Sequence, residues 1–123
     1  MDWSIEFVEN KHYVKATLTG NFNPGDHLRM IEDILSRKYW KSGMNVLLDS
    51  RQVSYLNASI DDMREAGNNM KRFDEQIGTG KAAILMGTAV SFGKGRQFEI
   101  LADEKSSANI RVFLDENQAI EWL

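Results

Sequence analysis

Apolar and polar positions alternate from Trp3 to Phe7, with Ser4 and Glu6 between Trp3, Ile5 and Phe7. A period of two is the pattern of a strand with one face in a core. Residues 13–19 repeat it, with Val14, Ala16 and Leu18 on one side. Asn10-Lys11 predicts the turn between the two strands, because Asn tolerates a left-handed backbone. Gly20 closes this hairpin. At Asn23-Pro24 the period changes, since Asn caps a helix and Pro suits its first position. Leu28, Ile31, Leu35 and Tyr39 then share a face that Ile34 widens, while Arg29, Asp33, Ser36 and Arg37 face water. Ser42-Gly43 ends the element.

Residues 44–73 organise the rest. Val46-Leu47-Leu48 is a short apolar run stopped by Asp49, as expected of a strand covered on both faces in a parallel sheet. Ser59 caps the next helix, with Asp61 and Asp62 in the first turn where the helix dipole favours acids. Ile60, Met63, Ala66, Gly67, Met70 and Phe73 fall within half of its wheel. Gly67 in that face predicts close packing against the sheet. Gly78 and Gly80 mark the exit loop, and residues 82–86 form the next buried strand. Thr88 caps a helix over residues 89–104, residues 109–113 make an edge strand, and residues 115–123 a closing helix. Asp115 and Gln118 have capping-box spacing there. Strands alternating with helices define an α/β domain with right-handed crossovers.

The helix over residues 89–104 breaks the pattern. Val90, Phe98, Leu101 and Ala102 form its core side, but Phe92, Arg96 and Ile100 make a second line beside Glu99 and Asp103. Gly93 and Gly95 loosen its first turns by about 1 kcal/mol each relative to Ala. A frayed helix with stray apolar groups suits a movable wall over a pocket. The plainer alternative packs Phe92 and Ile100 on a neighbouring helix and pairs Arg96 with Glu99 or Asp103.

Composition narrows the class. At 123 residues, 42% hydrophobic and 27% charged, the chain fits one folded domain spanning residues 1–123. A net charge of −3 argues against a nucleic-acid binder. Residues 82–86 are the longest apolar run, well short of the roughly 20 residues of a membrane span. The first residues lack a signal-peptide layout and no cysteine occurs, so a cytoplasmic location is expected. Six methionines suggest an adaptable interior.

Local motifs supply little chemistry. Gly78-Thr79-Gly80-Lys81 has neither the spacing nor the following helix of a phosphate loop. His12 and His27 have no partners at metal-ligand spacing, and no nucleophile–base pair stands out. Neither an enzyme nor a cofactor is expected. Arg37-Lys38-Tyr39-Trp40-Lys41 mixes cations and rings. It reads either as a loose membrane-surface contact or as a helix end whose rings pack inward.

Two stretches resemble SpoIIAA-like proteins, whose domains share the STAS fold of sulfate-transporter and anti-sigma-factor-antagonist domains. One is Ser91-Phe92-Gly93-Lys94-Gly95-Arg96-Gln97-Phe98-Glu99-Ile100-Leu101-Ala102. The other is Arg111-Val112-Phe113-Leu114-Asp115-Glu116 leading to Ala119-Ile120-Glu121-Trp122-Leu123. The resemblance implies a single five-stranded, mostly parallel sheet in sequential order, the first strand antiparallel, with about four helices. By comparison with Sec14-type carriers it also implies a non-enzymatic protein holding a small apolar or amphipathic ligand between helices. Met63, Met70, Phe92 and Ile100 are then the candidate lining, with Arg96 as polar anchor. The anti-sigma-factor antagonists imply instead a regulatory protein–protein module with a phosphorylated Ser in an Asp-Ser-Ser-Gly run. Here that run is Asn57-Ala58-Ser59-Ile60, so the acceptor position holds Ala58 and Ser59 is the remaining candidate. A homodimer is compatible with either role.

Overall fold

The computed structural model describes residues 1–123. Strands β1 (Asp2–Val8) and β2 (Tyr13–Asn21) form the hairpin, followed by α1 (Pro24–Leu35) and β3 (Asn45–Ser54). Next come α2 (Ile60–Arg72), α3 (Asp74–Ile77), β4 (Lys81–Leu85), α4 (Ala89–Asp103), β5 (Asn109–Phe113) and α5 (Glu116–Trp122). The strands lie in the order β1-β2-β3-β4-β5, with β1 antiparallel to β2 and the others parallel. Five α-helices accompany them, one more than the expected four, because Asp74–Ile77 adds a single turn after α2.

The period-two pattern sets the register. Trp3, Ile5 and Phe7 pair with Leu18, Ala16 and Val14, putting both strands' apolar sides on one face. Helices α1, α2 and α4 cover that face around the larger core, which includes Val14, Met30, Met63, Ile84, Phe98 and Val112. On the opposite face α5 closes a smaller core of Tyr13, Leu47, Ala83, Leu85, Phe113 and Ala119. Val46, Leu47 and Leu48 therefore serve two cores by alternation.

All four expected caps form. Asn23 Oδ1 accepts from the Asp26 amide at 3.0 Å, Thr88 Oγ1 from Ser91 at 3.1 Å and Asp115 Oδ1 from Gln118 at 2.9 Å. Ser59 and Asp62 complete a reciprocal capping box, each contact 3.0 Å. Such a cap contributes about 1 kcal/mol.

Several expectations shift. The left-handed residue of the hairpin is His12 (φ 56°), after a 3₁₀ turn over Glu9–Lys11, and not Asn10. Helix α1 stops at Leu35, so Tyr39 lies beyond it and stacks on Phe7 with ring centroids 5.1 Å apart. The buried line of α1 is His27, Met30, Ile31 and Ile34. Asp33, expected to face water, accepts from Trp3 Nε1 at 2.9 Å, which holds its carboxyl below the usual range.

Strand β3 continues past Asp49 to Ser54, after its pairing with β2 slips between Thr17 and Thr19. Asp49 does not break it because Arg51 donates to both carboxylate oxygens, at 3.0 and 2.8 Å. Arg51 also reaches Glu116 at 2.8 Å, tying β3 to α5. Gly67 packs not on the sheet but on α4, where an added Cβ would sit 3.5 Å from the Leu101 carbonyl carbon. Val90, expected in the core, is exposed; the buried line of α4 is Ser91, Gly95, Phe98 and Ala102. At Gly95 a Cβ would come within 2.9 Å of Met86 Cε and Val112 Cγ1. Small residues thus draw α4 down onto α2 and β5.

Candidate functional site

The interior between the sheet and α1, α2 and α4 is not fully packed. Two cavities follow one another along the strands. The first, about 30 Å³, lies toward the carboxyl ends of β3 and β4, among Ser50, Met86, Phe22, Tyr55, Met63 and Gly95. The second, about 50 Å³, lies toward their amino ends, among Val46, Ala82, Trp40, Met70, Ile77 and Ile110. His27, Met30, Leu48, Ile84 and Phe98 border both. Leu48, in the middle of a covered sheet, is only half-buried for that reason.

The lining is apolar, with 9 hydrophobic residues of 12 in the first cavity and 13 of 14 in the second. Such surfaces attract hydrocarbon more than water, which needs two to four polar partners to settle in a cavity. Met30, Met63 and Met86 line the first cavity, and Met30 and Met70 the second. Unbranched thioethers change rotamer cheaply, so these walls can yield to a guest.

Polar groups at the cavities are few. Burial pushes the Tyr55 hydroxyl above its ordinary pKa, with Ser50 beside it working in the other direction. His27 is buried at 6% exposure, and burial pulls its pKa down to about 4, so the ring is neutral at pH 7. Asn69 of α2, also buried, places its Nδ2 3.1 Å from His27 Nδ1 and donates to the Pro24 carbonyl at 3.0 Å. The rings of Phe22 and Phe98 flank the imidazole, with centroids 6.2 and 5.7 Å away. No three carboxylates or imidazoles gather as a cation site.

The residues singled out from sequence are dispersed. Met63 and Met70 reach the cavity walls. Phe92 is half-buried against the larger core, and Ile100 is 60% exposed; neither lines either of these two cavities. Arg96, expected as an anchor, donates to Glu99 Oε1 at 2.6 Å on the outer side of α4. Glu99 Oε2 in turn accepts from the Val112 amide at 3.2 Å, occupying a backbone donor of the edge strand β5. Ser59 sits exposed at the start of α2 as its cap. Trp40 turns inward, donating Nε1 to the Gln76 carbonyl at 3.0 Å and lining the second cavity. No helix is long and apolar enough to cross a membrane.

The sequence singles out His27 only as a histidine without metal-ligand partners, and its buried pairing with Asn69 is not anticipated. His27 is spaced three, four and seven residues before Met30, Ile31 and Ile34, and Asn69 lies three beyond Ala66. A polar residue on an apolar helical line is the signal that would have found both.

No family model and no curated protein matches the sequence. Among solved structures, the chain is similar to an uncharacterized protein of the DUF3478 family, with a SpoIIAA-like fold, from Shewanella loihica PV-4. The TM-score is 0.60 at 18% identity, over 99% of this chain and 92% of that one. At that identity the likeness establishes the fold, which is SpoIIAA-like.

Proposed function

We propose that this SpoIIAA-like protein is a non-enzymatic binding protein that takes a small, largely apolar molecule between its sheet and helices. The observation that carries the reading is the pair of apolar cavities set end to end around one buried histidine. A fold of this size gains stability by closing such space, since voids cost the contacts their lining would otherwise make. Methionine walls allow the space to widen around a guest at low cost. Ser50 and His27 both border the first cavity, but His27 pairs with Asn69 and Ser50 with Tyr55 instead of with each other, which favours holding over chemistry. Native mass spectrometry of freshly purified protein tests the proposal. The expected result is a non-covalent adduct, lost under mild activation, whose bound fraction drops when Ala82→Phe fills the second cavity. Uniformly apo protein that also shows no thermal shift with any apolar probe would contradict it.

A second reading, a regulatory interaction module, has its own observation. Leu56, Ile60, Val90 and Leu114 are 82%, 52%, 68% and 53% exposed in the segments that follow β3, β4 and β5. Those segments lie at the carboxyl ends of parallel neighbours, so their apolar groups share one end of the domain with Ser59. Grouped exposed apolar residues mark contact surfaces. A partner held by the wild type, released by Leu56→Asp with Val90→Asp and retained by Ala82→Phe would favour this reading over the first.

A further inference from the structure

His27 is buried, yet only one of its two ring nitrogens has a protein partner. Asn69 Nδ2 carries two hydrogens. The Pro24 carbonyl can only accept, so it takes one of them. The other points at His27 Nδ1, which must therefore be the acceptor. A neutral imidazole accepting at Nδ1 carries its proton at Nε2. That N–H has no protein acceptor, and the neighbouring Phe22 and Phe98 rings offer only a weak N–H···π contact. The structure thus holds a donor of fixed tautomer, on a buried ring and without a protein acceptor, in a residue that borders both apolar cavities.

We infer that the guest of these cavities is an uncharged molecule with a carbonyl-type acceptor between two apolar arms, and that His27 Nε2–H binds that oxygen. The inference rests on the binding reading above and specifies its ligand. An acceptor is required because this tautomer can only donate at Nε2. The position of His27 puts the acceptor mid-molecule, with apolar space on either side along the strands. The neutral choice follows from the lining, where no Lys or Arg borders either cavity to compensate a carboxylate. His27 itself stays uncharged at pH 7, burial having lowered its pKa to about 4. Dialkyl ketones and esters have this chemistry, and cavities of about 30 and 50 Å³ admit longer arms only as the methionine walls move aside.

Three probes of similar size separate the possibilities: dibutyl ketone, nonane and nonanoate, titrated by thermal shift and calorimetry. Dibutyl ketone should bind the wild type roughly five- to tenfold more tightly than nonane, the contribution of one net hydrogen bond. In His27→Phe that preference should vanish while nonane still binds. A readout independent of any variant is nitrogen NMR of the wild type: the His27 Nε2 signal should move with the ketone and stay with nonane. Equal binding of ketone and nonane, or an unmoved Nε2 signal, would overturn the inference and leave the binding reading standing. Preferred binding of nonanoate would overturn the neutral acceptor. Failure of all three probes to bind would overturn the binding reading itself.

Discussion

His27 shows what a single residue can carry. Its ordinary pKa of 6.5 is lowered to about 4 by burial, and Tyr55, the other titratable side chain at the cavities, is pushed up and stays neutral. Between those His27 values the unfolded chain takes up a proton that the folded protein refuses. Stability from this residue is therefore complete above the unfolded value and is lost as pH falls toward the folded one. The shift corresponds to a loss of about 3 kcal/mol at most. Urea unfolding from about pH 7 to about pH 4 should accordingly show a steeper decline for the wild type than for His27→Phe. Parallel declines in the two proteins would remove this account. Asn69→Ala tests the partner: it deletes donors to Pro24 and His27, and should cost about 1–3 kcal/mol in the same assay.

At the scale of elements, two glycines of the packed helices α2 and α4 have opposite expectations. Gly67 has room for a methyl in ordinary contact with α4. Gly67→Ala should therefore raise stability by up to about 1 kcal/mol, the helix penalty of glycine. Gly95 faces the methyls of Val112 and Met86 too closely for a Cβ. Gly95→Ala should lower the melting temperature despite the same gain in propensity, by roughly 1–3 kcal/mol of overpacking. Opposite signs for the two substitutions in one thermal series are the check. Ser59 poses a similar question. As a cap alone, Ser59→Ala should cost about 1 kcal/mol while Ser59→Asp, itself a good cap, should be nearly neutral. If a partner is lost with Ser59→Asp at unchanged stability, the residue also acts in regulation.

At the scale of the molecule, the cavities are a stability cost retained in the fold. Ala82 borders the second cavity from β4, a strand paired on both sides. Ala82→Val should raise the urea midpoint by filling it and weaken apolar probes by the same packing, the opposition expected of a functional void. A gain in stability with unchanged probe affinity would place the guest elsewhere. The sheet and its caps were legible in the chain because they rest on local periods and on cap residues a few positions apart: Trp3-Ile5-Phe7, Asn23, Ser59, Thr88 and Asp115. Strand β3 beyond Asp49 was not, since its continuation depends on pairing with β2 and on Arg51 satisfying Asp49. The cavities were invisible for the same reason on a larger scale. A void is a mismatch between surfaces brought together from β2, β3, β4 and three helices, and Leu48 reads identically in the sequence whether its neighbours meet or leave a gap. Periodicity determines which face of each element is buried; only the assembled layers decide whether His27 ends its second nitrogen against protein or against open space.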